Sequence, residues 1–326
     1  MKHKIATVIA SPVIFDLEAT AKKCCDIINE AADKGASLVV FPETFLPMYP
    51  WWIWMAVDNV KRLELYERLA GESVDVHGDV FKSICYQARR RNIHVVIGIN
   101  EIGGDTLYNS QAFIDNRGDL IGLRRKLVPT GEERTLWGRG DGSDLLVLDT
   151  EIGRLGGLIC YENSMALSRY ALYSQGLQIH VANWPGSNFK SQPRDRTRTI
   201  DTVCRFIAFE GQTFVVASSS CIGEEEVRFY HQLCPELKDS FAVGGGIAAV
   251  YNPFGEPVGT PMTDQEGIVY ADLDLGDIRK AKHMIDCVGH YARPDVARLV
   301  IDDGSKRPVT GFSNTRPQPV SFEFDD

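Results

Sequence analysis

The chain predicts an α/β fold in which helices cover both faces of a mixed sheet. Apolar runs of strand length recur along it, separated in some places by amphipathic stretches of helical period and in others by short turn signals. Helix-linked strands pair in parallel and turn-linked strands pair antiparallel, so both connections in one chain give a mixed sheet. Reactive polar residues also stand at the ends of three of these runs, where an α/β scaffold aims side chains into a shared crevice.

The first strand spans residues 4–11. Lys2 and Lys4 ahead of an apolar run mimic a signal peptide, but Pro12 sits within the run. Asp16 and Glu18 then occupy the place of a small-residue cleavage site. A buried strand and a cytoplasmic protein are expected. An amphipathic helix follows at 17–34, with Ala21, Cys24, Cys25, Ile28 and Ala31 on one face and Gly35 as its stop. After a strand at 37–41, residues 45–57 hold Pro47, Pro50, Trp51, Trp52 and Trp54, too aromatic for a solvated loop, so burial is expected.

Helices near 58–70 and 78–91 lead to a strand at 93–100 and to two strands flanking the turn Asn116-Arg117-Gly118-Asp119. Residues 126–142 read as a glycine-rich, charged loop. Strands near 144–149 and 152–160 flank the turn at residues 151–153. A helix at 164–176, a strand at 178–183, a helix at 194–211 and strands at 213–219, 246–251 and 267–273 complete the pattern. No repeat or low-complexity linker divides residues 1–301, which are read as one domain. Residues 302–326, rich in Pro, Ser, Thr and charge, are read as an extended tail ordered against a partner.

Composition narrows the function. The 326 residues are 44% hydrophobic and 24% charged, with no apolar run near the ~20 residues a bilayer span needs. A net charge of -9 disfavours a nucleic-acid surface, and Arg89-Arg90-Arg91 reads as a solvated helix end. Eight cysteines without a CxxC pair suit a reducing compartment. His231 and Cys234 could share a metal, but no second Cys/His pair lies at ligand spacing, so no metal site is expected.

The three strand-end residues are Glu43, after Ser37-Leu38-Val39-Val40-Phe41-Pro42; Lys126, after Leu120 to Arg125; and Cys160, after Leu155-Gly156-Gly157-Leu158-Ile159. Carboxylate, ammonium and thiol make a nucleophilic kit: the carboxylate takes the thiol proton, the thiolate attacks an electrophilic carbon, and the ammonium steadies the negative charge that develops. Taken singly, each has a plainer reading, as a surface carboxylate, a solvated strand end and an inert core thiol.

Phe41-Pro42-Glu43, Arg125-Lys126-Leu127 and Ile159-Cys160-Tyr161-Glu162, in that order, resemble the nitrilase superfamily of carbon-nitrogen hydrolases. Lys126 to Thr130, Glu133-Arg134, Trp137-Gly138, Gly140-Asp141-Gly142 and Gly289-His290-Tyr291 with Arg293 to Val296 resemble its true nitrilase branch. The resemblance implies a four-layer α-β-β-α sandwich, active as a dimer or a larger, sometimes spiral, homo-oligomer. It implies Cys160 as nucleophile, Glu43 as general base and Lys126 as charge stabiliser, with Glu133, seven residues beyond the lysine, as a second carboxylate. Glu132 would point away from the site if the loop is extended. Tyr49, Trp137, Tyr161 and Trp184 would line the pocket of a small nitrile, with no metal or organic cofactor required.

Tyr161 departs from the Trp that usually follows the nucleophile, which leaves the substrate range open. Asn183-Trp184-Pro185-Gly186 resembles arylacetonitrile- and cyanide-hydrolysing branches. His290 is read as structural. The competing readings are an amidase or carbamoylase, a cyanide-hydrolysing enzyme, and a catalytically silent scaffold. A papain-like Cys-His enzyme is disfavoured, because no His stands in a comparable motif.

Overall fold

The computed structural model describes residues 2–190, 195–306 and Phe322. The first half runs β1 (Lys2–Ala10), α1 (Leu17–Asp33), β2 (Leu38–Val40), α2 (Asn59–Gly71), α3 (Asp79–Arg91), β3 (His94–Gly103), β4 (Thr106–Ile114) and β5 (Leu120–Arg125). The second runs β6 (Val147–Thr150), β7 (Gly153–Ile159), α4 (Ala166–Ser174), β8 (Ile179–Trp184), α5 (Arg196–Gly211), β9 (Phe214–Ser220), α6 (Glu224–Leu233), β10 (Ile247–Tyr251), β11 (Met262–Thr263), β12 (Gly267–Asp274) and α7 (Gly276–Met284).

The strands follow the order β5-β4-β3-β2-β1-β9-β8-β7-β6, with β12 on β1 and β10 on β9. β1, β2 and β3 pair in parallel and are extended antiparallel by β4 and β5. β9, β8 and β7 do the same, extended antiparallel by β6. Strand pairing joins the two halves edge to edge through Ile9–Ala10 against Ser219–Ser220.

Alternation along the strands builds four layers. Ala6, Val8, Val39, Val95 and Ile97 pack outward with Ala21, Cys24, Ile28 and Ala31 of α1 and Phe81, Ile84 and Ala88 of α3. The residues between them, Ile5, Leu38, Val40 and Val96, pack inward with Ile179, Val181, Phe214 and Val216 of the other half. Val215 and Ala217 pack with Ile200, Cys204 and Ala208 of α5. Helix, sheet, sheet and helix is the expected sandwich. The caps are local and conventional: Asp16 accepts from Ala19 N at 2.8 Å, and Asp58 accepts from Val60 N and Lys61 N at 3.0 and 3.1 Å.

The structure differs from the sequence reading in places. Residues 160–164, expected as the end of a strand and the start of a helix, form a 3-10 turn, and α4 begins only at Ala166. Residues 126–142 include a 3-10 turn at Gly131–Thr135. α6 and α7 lie in stretches left unassigned. α6 fully buries only Glu226 and Tyr230, and its apolar residues Val227, Phe229 and Leu233 are partly buried against the same cluster, so its core-facing side is short and mixed with charge. Trp51 and Trp52 are buried as expected, whereas Trp54 is 41% exposed. Of the expected tail, 307–321 and 323–326 lie outside the described residues. Residues 302–306 rest on their own chain: Lys306 N donates to Asp141 Oδ2 at 2.6 Å, and Asp302 O crowds Gly142.

Candidate active site

Glu43, Lys126 and Cys160 arrive from three strand ends. Phe41 N donates to Val96 O at 2.8 Å and Gly98 N to Pro42 O at 3.1 Å, so the loop after β2 is stitched to β3. Gly98 is required there, because a Cβ would lie 2.3 Å from Pro42 O and 2.6 Å from the Glu43 Cα. Lys126 N donates to Asn109 O at 2.8 Å, and its own carbonyl accepts from Gly140 N at 2.9 Å. Its side chain is thereby fixed at the mouth of the β4–β5 hairpin.

Cys160 opens the 3-10 turn after β7 with φ of 54°, a left-handed conformation that costs a residue with a side chain about 1–2 kcal/mol. The surroundings hold it there. Asn163 Nδ2 donates to Cys160 O at 2.9 Å and to Leu158 O at 3.1 Å, and its Oδ1 lies 2.7 Å from His180 Nε2. Burial, reinforced by Arg169 and Arg124, pushes His180 down to about 3, so the imidazole is neutral. Glu162 accepts from Ile159 N at 2.9 Å and from Leu127 N. It takes a forked bond from Arg124, 2.9 Å from Nη1 and 3.1 Å from Nη2. That buried pair ties the lysine-bearing segment to the cysteine-bearing turn.

The reactive side chains converge. Lys126 Nζ lies 2.8 Å from Glu43 Oε1 and 2.7 Å from Glu133 Oε2, and none of the three side chains is more than 1% exposed. Ligand atoms of Glu43, Glu133 and Cys160 all lie within 4.8 Å of one another. This is the one cluster with metal-ligand spacing among the described residues. A divalent ion there would face the Lys126 ammonium already bonded to both carboxylates, so the donor set suits an ammonium better than a metal. Asn109 Nδ2 donates to Glu43 Oε1 at 2.7 Å, and Glu43 Oε2 is buried without a partner among the described residues.

The electrostatics follow from burial. Desolvation pushes Glu43 up to about 7, against the pull of Lys126 and with the push of Glu133. Burial works against the Lys126 charge, yet Glu133 and Glu43 raise its pKa well above the ordinary lysine value. Burial and then the Glu43 carboxylate push the Cys160 thiol up to about 12, while Lys126 and Arg196 pull it down. At rest Cys160 is therefore a neutral thiol beside a carboxyl that exchanges protons near neutrality.

Glu133 stands where expected, on the Gly131–Thr135 turn, and also accepts from Tyr49 OH at 2.7 Å and Thr130 N at 2.7 Å. Glu132 is exposed, and Arg134 bonds to Pro129 O at 3.1 Å and not to Glu133. Tyr49 and Trp137 meet edge to face at 5.8 Å, and Trp137 Nε1 donates to Asn100 Oδ1 at 2.8 Å. Tyr161 stacks edge-on to Trp184 at 5.8 Å, and Trp184 is fully buried in the cluster that contains Ile200 and Cys204. Trp51, 4.5 Å from Tyr49, joins this wall. His290 is exposed, its ring 5.2 Å from Tyr291, beside the Arg293–Asp295 ion pair. His231 Nε2 lies 2.8 Å from Phe241 O.

Sequence reasoning assigned no role to Asn109, Arg124, Glu162, Trp51 or Arg196. Glu162 lies within the motif that carries Cys160, and Arg124 lies two residues before Lys126; only those offered a local signal. Arg196 Nη2 sits 3.7 Å from Cys160 Sγ although 36 residues separate them.

The carbon-nitrogen hydrolase family profile matches residues 4–283, and the chain belongs to that family. Within it, the chain falls in the nitrilase branch. It is 41% identical to an aliphatic nitrilase of Rhodococcus rhodochrous over 94% of this chain and 81% of that one. It is 37% identical to an arylacetonitrilase of Aspergillus niger over 97% of each chain. Among solved structures, an amidase from Nesterenkonia sp. superposes with a TM-score of 0.62 over 86% of this chain and 95% of that one. At 19% identity it shows the common fold.

Proposed function

We propose that the protein is a nitrilase, hydrolysing small organic nitriles to carboxylic acid and ammonia. The observation that carries this reading is a buried ammonium held between two carboxylates, with a thiol inside the same cluster, in a chain whose curated relatives are nitrilases. Glu43, the group with a proton affinity near neutrality, is the base that accepts the Cys160 proton as sulfur attacks the nitrile carbon. Because that transfer is uphill at rest, it accompanies formation of the carbon–sulfur bond. Electron density pushed onto nitrogen is met by Lys126, which donates a proton to give a thioimidate.

Glu43 hands the thiol proton on to Lys126, restoring the ammonium and the free carboxylate. Water then adds to the thioimidate carbon, with its proton relayed through Glu43 to nitrogen. The hydroxyl proton follows the same route as the carbon–nitrogen bond breaks with its electron pair on nitrogen, so ammonia departs and a thioester is left. A second water, deprotonated by Glu43, releases the acid and returns the thiol. Glu133 keeps Lys126 charged between steps and is itself oriented by Tyr49. No step calls for a metal or organic cofactor.

Tyr49, Trp137, Tyr161 and Trp184, with Trp51, supply an apolar aromatic wall for the organic portion of the nitrile. Relatives named for aliphatic and for arylaceto substrates lie at similar identity, so this wall and not overall similarity sets the preference. Residues 1–301 act as one hydrolase domain. No helix among the described residues is long and apolar enough to cross a membrane, and together with the cysteine usage this supports a cytoplasmic enzyme. Assembly into homodimers or larger homo-oligomers follows the family, and sedimentation as a monomer at working concentration would exclude it.

Ammonia release from phenylacetonitrile, benzonitrile, fumaronitrile, an alkyl nitrile and the matching amides, in wild type beside Cys160→Ala, tests the reading. Release from nitriles that disappears in Cys160→Ala is expected. Release from amides alone would replace the nitrilase reading with an amidase one.

A further inference from the structure

Arg196 stands beside the reactive cluster without an assigned role. Its Nη2 lies 3.7 Å from Cys160 Sγ, and its Nε is buried without a hydrogen-bond partner among the described residues. No carboxylate pairs with it among the described residues. Its guanidinium carbon sits 5.7 Å from the ring centroids of both Trp51 and Tyr161, so two aromatic faces confine it beside the sulfur. A confined arginine without an acidic partner is unusual, because arginine in such sites is ordinarily matched by a carboxylate.

The charge count of the cluster explains what it faces. Lys126 is shared by Glu43 and Glu133, so these three groups carry a net charge of about -1 at neutral pH when both carboxylates are ionised. Moving the Cys160 proton onto Glu43 brings those three groups to zero and places the one negative charge on sulfur. Lys126 is then still bonded to Glu133 and to the newly protonated Glu43. The cation in direct contact with sulfur is Arg196.

We propose that Arg196 is a further catalytic residue, the counter-charge that stabilises the Cys160 thiolate each time sulfur carries the electron pair. This rests on the reading of Cys160 as nucleophile. On attack, the thiol proton passes to a Glu43 oxygen, a sulfur lone pair forms the bond to carbon, and a pair from the carbon–nitrogen multiple bond passes to nitrogen. The sulfur charge is then spent, and Lys126 takes over at nitrogen. In the last step, water adds to the thioester carbon and its proton goes to Glu43. The carbon–sulfur bond breaks with its electron pair on sulfur, and Arg196 again faces a thiolate until Glu43 returns the proton. Both cations favour charge on sulfur, but Arg196 is the one in hydrogen-bond contact with it, while Lys126 also serves nitrogen.

Alkylation of Cys160 tests this without any nitrile, so its failure is separable from failure of the nitrilase reading. The pH dependence of iodoacetamide and iodoacetate labelling at Cys160, followed by peptide mass spectrometry, is compared in wild type, Arg196→Gln and Arg196→Lys. A charged hydrogen bond to thiolate predicts that Arg196→Gln slows iodoacetamide labelling about tenfold or more at neutral pH and moves the labelling midpoint up by about one pH unit. Arg196→Lys should recover part of both effects, and kcat should fall more than KM rises. Arg196 opens α5 and is only half-buried, so an unchanged melting temperature is expected in both variants.

An unchanged iodoacetamide profile in Arg196→Gln, with only the anionic iodoacetate slowed, would overturn the proposal and make Arg196 a binding site for a negatively charged substrate group. A Cys160→Ala enzyme that keeps its turnover would overturn it together with the nucleophile assignment.

Discussion

Glu162→Gln should damage stability and catalysis together, although Glu162 belongs to neither the carboxylate pair nor the thiol. Its carboxylate is buried and receives four donors: Arg124 Nη1 at 2.9 Å, Arg124 Nη2 at 3.1 Å, Ile159 N at 2.9 Å and Leu127 N. Glutamine keeps the shape but offers one acceptor oxygen, and its amide hydrogens then face donors. Two stranded donors, one of them on a buried guanidinium, cost about 3–5 kcal/mol. In a chain of 326 residues that lowers the melting temperature by about 4–7 °C at a fixed scan rate. Ile159 and Leu127 flank Cys160 and Lys126, so a displacement of about 1 Å there should lower kcat about 10²-fold. Differential scanning calorimetry and steady-state kinetics on wild type and Glu162→Gln decide it. A Glu162→Gln enzyme that melts with wild type and keeps kcat within twofold would refute the claim that this pair positions the site.

Three further outcomes follow from the geometry. Glu43 is raised from an unfolded value near 4.5 to about 7, so between those values the native state binds more protons than the unfolded chain. Its contribution to stability therefore falls as pH rises through that window, while kcat/KM, which needs the ionised base, climbs with a midpoint near 7. An acidic limb centred below pH 5 would exclude Glu43 as that base. Gly98→Ala places a methyl 2.3 Å from Pro42 O and 2.6 Å from Thr44 N, both backbone, and should lower activity at least tenfold and cost about 1–3 kcal/mol on urea unfolding. Tyr49→Phe removes the 2.7 Å bond to Glu133 and the 3.0 Å bond from Trp54, and should lower kcat about tenfold with folding nearly unchanged. Retained kcat would remove Tyr49 from the support of Glu133.

Most of the scaffold was legible because its signals are local. The continuous apolar runs of β1, β2, β8 and β9, buried on both faces, and the apolar face of α1 can be read directly from residue order. What escaped depends on contacts between distant segments. The left-handed conformation of Cys160 is held by Asn163, His180 and Glu162, and nothing in a run of five strand-forming residues announces that the sixth will turn. Arg196 reaches the sulfur only because α5 begins where β7 ends in space. Residues 302–306, read as awaiting a partner, instead find one in the Asp141 loop, whose glycine at 142 leaves room for the Asp302 carbonyl.

The division of the site between two sheets explains why its supporting bonds matter so much. Glu43 follows β2 in one sheet, Cys160 follows β7 in the other, and the backbone pairing that joins the halves, at Ile9–Ala10, belongs to other strands. The distance between Glu43 and Cys160 is therefore set by packing between the sheets, by Glu43 N donating to Trp184 O of β8 at 3.4 Å, and by the bridges at the end of β5: Arg124 to Glu162, and Arg125 N to Asp144 Oδ1 at 2.6 Å. Both bridges flank Lys126, the residue that must touch Glu43 and Glu133 at once. A change that loosens either bridge alters three reacting distances without removing any reacting group. Such variants should lose turnover and keep a reactive thiol, which sets them apart from Arg196→Gln, where the thiol itself should become slower.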